Sequence, residues 1–175
     1  MEKDCDYFMN KLFSVLKDES SLDSVKDIIN PKFIDSNGNR IYHYFSEFSL
    51  KKFYKLNYNK ENDDLLIKEE KFKEIVKEYK TNIPIYIELL DELECDKFAY
   101  NLKNQNPLIY SIIQKNYYIA IEYLKIYNKK NLLKENDYQE MLILLINSGD
   151  CLKEDCIHII ICNFIFLSRK RFIRI

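Results

Sequence analysis

The chain has 175 residues, 47% of them apolar and 31% charged, the composition of one folded domain long enough to bury a core of its own. With only 2 Gly and 3 Pro it lacks the tight turns that a β-sandwich or barrel needs, and a formal net charge of −1 gives no field to recruit a nucleic acid or an anionic membrane. An odd count of 5 Cys and a Met1 that opens directly onto charged residues, without a secretory leader, point to a reducing, cytoplasmic setting without disulfides.

In chain order, Asp6 to Leu16 carries Phe8, Leu12, Phe13 and Leu16 on one helical face. Ser20-Ser21 then caps a second helix, in which Val25, Ile28 and Ile29 are apolar before Pro31 stops it. This pair has the proportions of a capping unit over residues 1–34. Asp35 to His43 follows as a turn and a helix start. Gly38 in Asn37-Gly38-Asn39 supplies positive φ, and Asp35 can accept from amides two residues on. Phe45, Phe48, Leu50 and Phe53 are the next apolar positions, and 57–64 reads as a polar loop. Leu65 to Tyr79 alternates Lys and Glu around Leu66, Phe72, Ile75, Val76 and Tyr79, the pattern of a half-exposed helix. Pro84 is then expected to open a separate helix over Ile85 to Leu93.

Asn101 to Ile109 repeats the turn phrase with Asn104 and Asn106 in place of the better turn formers. Pro107 pre-sets the first turn of a helix bearing Leu108, Ile112 and Ile113, which Asn116 breaks. A second stripe runs through Ile119, Ala120, Tyr123, Leu124 and Tyr127 at three-to-four spacing. Glu135 to Ile143 reads as a third copy. With anchors at Tyr42, Leu108 and Leu142, the intervals are 108 − 42 = 66 and 142 − 108 = 34, near two units and one unit of a period of about 33 residues.

These phrases resemble the ankyrin-repeat family. Asp35, Gly38 and His43 match the family phrase in the first copy, where Arg40, Ile41 and Tyr42 replace its Thr, Pro and Leu. Pro107 and Leu108 match in the second, with Ser111-Ile112 at the small pair and Asn116 at the later His position. Leu142, Leu145, Ile146, Gly149 and Asp150 are in register in the third, which lacks Thr-Pro and places Glu154 where an apolar residue belongs. The resemblance implies helical hairpins stacked into a solenoid that presents a concave protein-binding surface. It also implies that His43 bonds neighbouring backbone and holds the stack together. An ordinary amphipathic helical bundle would give the same stripes and is the plain alternative.

Chemistry-bearing constellations are few. His43 and His158 are the 2 histidines, and there is no phosphate loop, nucleophile elbow or H-E-x-x-H. Glu88, Asp91, Glu92, Glu94 and Asp96 read as a solvated charged face. Cys151, Cys156, His158 and Cys162 form C-x4-C-x-H-x3-C, soft ligands for zinc, although Ile157 and Ile159 to Ile161 interleave them as a core face would. The same residues allow a small cysteine-dependent enzyme, with Cys151 or Cys156 as nucleophile and His158 as base. Cys156 to Leu167 is apolar but too short to span a bilayer; beside Arg169-Lys170-Arg171 it allows a membrane-apposed helix. The abundance of Lys, Asn, Ile and Tyr is what an AT-rich coding sequence produces.

The sequence therefore predicts an all-α fold, one degenerate ankyrin-like domain with atypical ends. Residues 1–34 form the N-terminal cap, 35–56 the first repeat, 57–100 a degenerate repeat or insertion, 101–134 the second clear repeat, 135–167 the third repeat with the C-terminal cap, and 168–175 a basic tail. The expected function is non-enzymatic binding of another protein, with no cofactor, metal or nucleic acid. The expected contact residues are the turn tips Asn39, Arg40, Asn104, Gln105, Gln139 and Glu140. A zinc-supported or membrane-apposed helical domain is the alternative.

Overall fold

A computed structural model describes residues 30–50, 53, 69–130, 132–148 and 156–162. The expected capping helices before residue 30, the 57–64 loop, Gly149 to Cys151, Glu154 and the basic tail lie outside the described residues. What is described is helical, without a strand: α1 (Ile41–Ser46), α2 (Glu69–Glu92), α3 (Pro107–Ile113), α4 (Tyr117–Lys129) and α5 (Glu135–Asn147), with 156–162 also helical. The packing follows two rows. α1 lies against α3 and α3 against α5, while α2 lies against α4 and α3 against α4.

The α3–α4 hairpin follows directly from local signals. Asn106 is the N-cap of α3, its Oδ1 accepting from the Ile109 amide at 2.9 Å, with Pro107 at the first helical position. α3 ends when Lys115 enters the left-handed region at φ 57, so that the Asn116 and Lys115 amides donate back to the Ser111 and Ile112 carbonyls. α4 then buries Tyr117, Ile119, Ala120, Tyr123, Leu124 and Tyr127. All five stripe residues expected between Ile119 and Tyr127 are among these, spaced three or four positions apart, the face a helix must hide. α2 ends in the same way, with Glu94 at φ 56 and the Cys95 amide on the Leu90 carbonyl. Left-handed caps of this kind are normally glycine, and this chain makes them with Glu and Lys.

Three sequence expectations meet the structure here. Pro84 does not open a new helix, because α2 runs unbroken through it from Glu69 to Glu92. Ile75, Tyr79, Ile83, Tyr86, Ile87 and Leu90 form one buried stripe across the proline. Proline costs a helix about 3 kcal/mol, and that is less than six large side chains gain at roughly 1.5–3 kcal/mol each. Second, in the segment 57–100, expected as a degenerate repeat or an insertion, the described residues form the long α2. The 35–39 and 101–105 turns touch directly, the Leu102 amide donating to the Asn37 carbonyl at 2.9 Å. α2 thus lies in sequence between two turns that are neighbours in space. Third, Leu142 is not the equivalent of Tyr42 and Leu108. Those two are fully buried, whereas Leu142 is half-buried and Tyr138, Met141 and Leu145 point into the core instead.

The core is rich in aromatic rings. Phe48 sits among Phe45, Phe53, Tyr79 and Tyr86 with ring centroids 5.7–6.1 Å apart, joining the end of α1 to α2. Several polar groups within it bond to backbone carbonyls. Asn116 donates to the carbonyls of Ser46 at 3.2 Å and Phe48 at 2.7 Å and accepts from the Tyr79 hydroxyl at 3.1 Å, tying the α1 end, α2 and the α3–α4 turn at one point. Tyr123 donates to the Tyr42 carbonyl at 3.0 Å, and Ser46 Oγ donates to the carbonyls of Tyr42 and Pro107 at 2.9 and 3.1 Å.

Candidate functional site

The stacked turns are the most elaborately built polar region among the described residues. They are copies of each other, bond for bond, at an interval of 101 − 35 = 66. In the first, Asp35 Oδ1 accepts from the amides of Asn37 at 2.8 Å and Asn39 at 2.7 Å. In the second, Asn101 Oδ1 accepts from Lys103 at 3.0 Å and Gln105 at 2.9 Å. Each closes with two backbone bonds: Asp35 to Asn39 and Gly38 to Asp35 in one, Asn101 to Gln105 and Asn104 to Asn101 in the other, all 3.0 Å. The position after each midpoint has positive φ, 75 at Gly38 and 58 at Asn104, which explains Gly in one turn and Asn in the other.

Side chains hold the two turns together. Asn101 Nδ2 donates to Asn39 Oδ1 at 3.0 Å. His43 lies fully buried beneath, its Nδ1 accepting from the Arg40 amide at 3.2 Å and its Nε2 2.9 Å from the Gln105 carbonyl. An amide donor on Nδ1 places the proton on Nε2, so the ring is neutral and donates across the stack. Burial holds the His43 pKa below its ordinary value, against the opposing pull of the Gln105 carbonyl. For Asp35, burial acts upward, but donation from Asn39, Tyr44 and Asn37 prevails and keeps the carboxyl below its usual range.

Beside the turns a cleft of ≈ 240 Å³ opens between Asp35, Tyr44, Glu47, Asn101, Lys103 and Tyr110. Tyr44 donates to Asp35 at 2.8 Å and Tyr110 to Glu47 at 2.7 Å, so its carboxylates already serve to fix its aromatic walls. The cleft is amphipathic, with polar groups and two tyrosine rings in its lining.

The six expected contact residues divide. Asn104 is exposed at the second turn tip, and Gln139 and Glu140 are exposed on α5. The last two stand on a helix, within Glu135–Asn147, and not at a turn. Asn39 is buried, with both its amide and its side chain committed to Asp35 and Asn101, and is therefore a structural residue and not a solvent-facing tip. Arg40 is half-buried at the N-cap of α1, and Gln105 is half-buried with Oε1 accepting from Asn101 at 3.2 Å. Polar residues in tight turns look solvent-facing in sequence because nothing local reveals that a second turn covers them.

Leu102, which sequence reasoning missed, is 79% exposed at the second tip. Its signal was present: an offset of 102 − 36 = 66 aligns it with Ser36, which is exposed in the first turn. On α5, Ile143 is exposed as well, one turn from Gln139 and Glu140.

Among the described residues, the members of the C-x4-C-x-H-x3-C run fall on different sides of one helix. Cys156 and Ile160 are buried on one side of the 156–162 helix, while His158 and Cys162 are exposed with Nε2 and Sγ 3.8 Å apart, and Cys151 lies outside the described residues. No group of three His, Cys, Asp or Glu side chains among the described residues is placed to hold a metal ion. Burial and the charge of Asp91 push the Cys95 thiol up to about 12, far from a reactive thiolate. No described helix is long and apolar enough to cross a membrane. No family model, curated protein or solved structure gives a match to this chain.

Proposed function

We propose that this chain is a degenerate ankyrin-like stack acting as a non-enzymatic protein-binding module, an adaptor, scaffold or inhibitor in the cytoplasm of its own cell or of a host. The observation that carries this reading is the pair of identical turns in direct contact. Two turns with the same bonds, joined backbone to backbone and by a buried His43, each followed by a helix of the α1–α3–α5 row, are the unit from which such a stack is built. Energy spent on rigid turns leaves their tips free to differ, which suits recognition. The binding edge runs over Leu102, Lys103 and Asn104 and continues along the exposed Gln139, Glu140 and Ile143 of α5.

The test is site-specific crosslinking in lysates of candidate cells. A photoreactive residue placed at Asn104 or Gln139 is expected to capture one discrete partner, and one placed at the exposed Lys125 on α4 is not. Capture from Lys125 alone would remove the turn edge as the binding surface.

A further inference from the structure

At the far end of α3 from the turns, a groove of ≈ 390 Å³ lies between α2 and the α3–α4 connection. Its floor is apolar, formed by Leu50, Phe72, Val76, Tyr117 and Tyr118, and Phe72 is 49% exposed. Its rim is basic. Lys73 and Lys115 line opposite walls, and a shallow hollow continues from Val76 along Lys77 and Lys80. Lys80 Nζ lies 4.4 Å over the Tyr118 ring, which places a cation at the groove's edge.

This clustering is not imposed by composition. α2 carries more glutamates than lysines, but at about 100° per residue Lys73, Lys77 and Lys80 fall together beside Val76, and Glu70, Glu74 and Glu78 follow further round the helix, away from the groove floor. No acidic residue is among the described residues lining either hollow. In a chain of net charge −1, the charged side chains lining this groove are all cationic among the described residues.

We propose that this groove is a second interaction surface, and that it takes an acidic amphipathic helix of a partner protein: apolar side chains on the floor, carboxylates against Lys77, Lys80 and Lys115. Helix-in-groove recognition needs an apolar trough of this kind, and the charge of the rim selects the sign of the flanking residues. A flat bilayer surface does not reach a concave floor, and a phosphate backbone has no use for an apolar one. The inference concerns a face separate from the turn edge and does not depend on it.

Fluorescence anisotropy with the full chain tests it, using a labelled synthetic helix with Leu and Phe on one face and Glu on the flanks. The controls are the same peptide with Lys in place of Glu, and vesicles containing phosphatidylserine. The acidic peptide should bind saturably, more than about tenfold tighter than its basic counterpart, and binding should weaken as salt is raised. Lys77→Glu/Lys80→Glu/Lys115→Glu should lower affinity by more than about tenfold, as charge reversal at a complementary rim does, with the circular dichroism spectrum unchanged. If that variant does not fold, the salt dependence and peptide-sign preference of the parent chain decide instead. Absence of binding, equal binding of both peptides, or binding to vesicles in preference to the acidic peptide would overturn the proposal.

Discussion

Replacing Gly38 by Asn separates two reasons for a glycine that are usually confounded. Gly38 has φ 75, and a Cβ there would stand 2.8 Å from the Leu102 backbone nitrogen and 3.0 Å from Leu102 Cγ. Asparagine tolerates the left-handed region, as Asn104 does at φ 58, so the dihedral itself adds little. What remains is the clash with the neighbouring turn. Relieving it moves the turns apart and lengthens three bonds: Leu102 N to Asn37 O at 2.9 Å, Asn101 Nδ2 to Asn39 Oδ1 at 3.0 Å, and His43 Nε2 to Gln105 O at 2.9 Å. At about 1 kcal/mol net for each bond, the expected cost is about 1.5–3 kcal/mol. Gly38→Val adds the left-handed penalty of about 1–2 kcal/mol. Urea denaturation followed by circular dichroism, with an unchanged m-value, measures the difference. The matched control is Asn104→Gly, at an exposed position with the same sign of φ, expected within about 0.5 kcal/mol of the parent. If Gly38→Asn were also within about 0.5 kcal/mol of the parent, the turns would not be stacked as described.

Leu108, 1% exposed, should cost about 2–5 kcal/mol on truncation to Ala, seen as a drop in the calorimetric Tm. Lys115→Gly should stabilise by about 1 kcal/mol by relieving a left-handed lysine, read as a higher urea midpoint. His43 sets a pH dependence. Because its pKa is depressed in the folded state, the unfolded chain binds more protons, and stability should fall as pH drops through the ordinary histidine value of 6.5. In His43→Gln that slope should shrink, and an unaltered slope would assign it to another group.

The second hairpin was legible because its signals are local: Asn106 and Pro107 start α3, Asn116 interrupts it, and the α4 stripe is clean. The fully apolar stretch Leu142 to Ile146 defeated the register of α5, since a helix with apolar residues on every side does not declare which face is inside. Tyr138 and Met141 were chosen by contact with α3 and its neighbours, which sequence does not record. Pro84 was misread for a related reason. Its local meaning is a helix start, and only the stripe from Ile75 to Leu90 overrules it. The exposure of the expected contact residues was least legible. Whether Asn39 or Gln105 faces water depends on a turn 66 residues away in sequence, and the interval alone does not say that the two turns touch.

The abundance of tyrosine, which in sequence looks like a by-product of base composition, gives this core an unusual response to alkali. Burial raises the phenols of Tyr42, Tyr79, Tyr86, Tyr123 and Tyr127 well above their ordinary value of 10, and pushes Tyr138 up to about 12. Above pH 10 an unfolded chain would release these protons while the folded one retains them, so each added pH unit erodes stability through several groups at once. The phenolate absorbance of these buried residues should then appear in one cooperative step together with the loss of helix. In a chain of 14 Tyr and no Trp, the residues that fill the core double as its optical reporter.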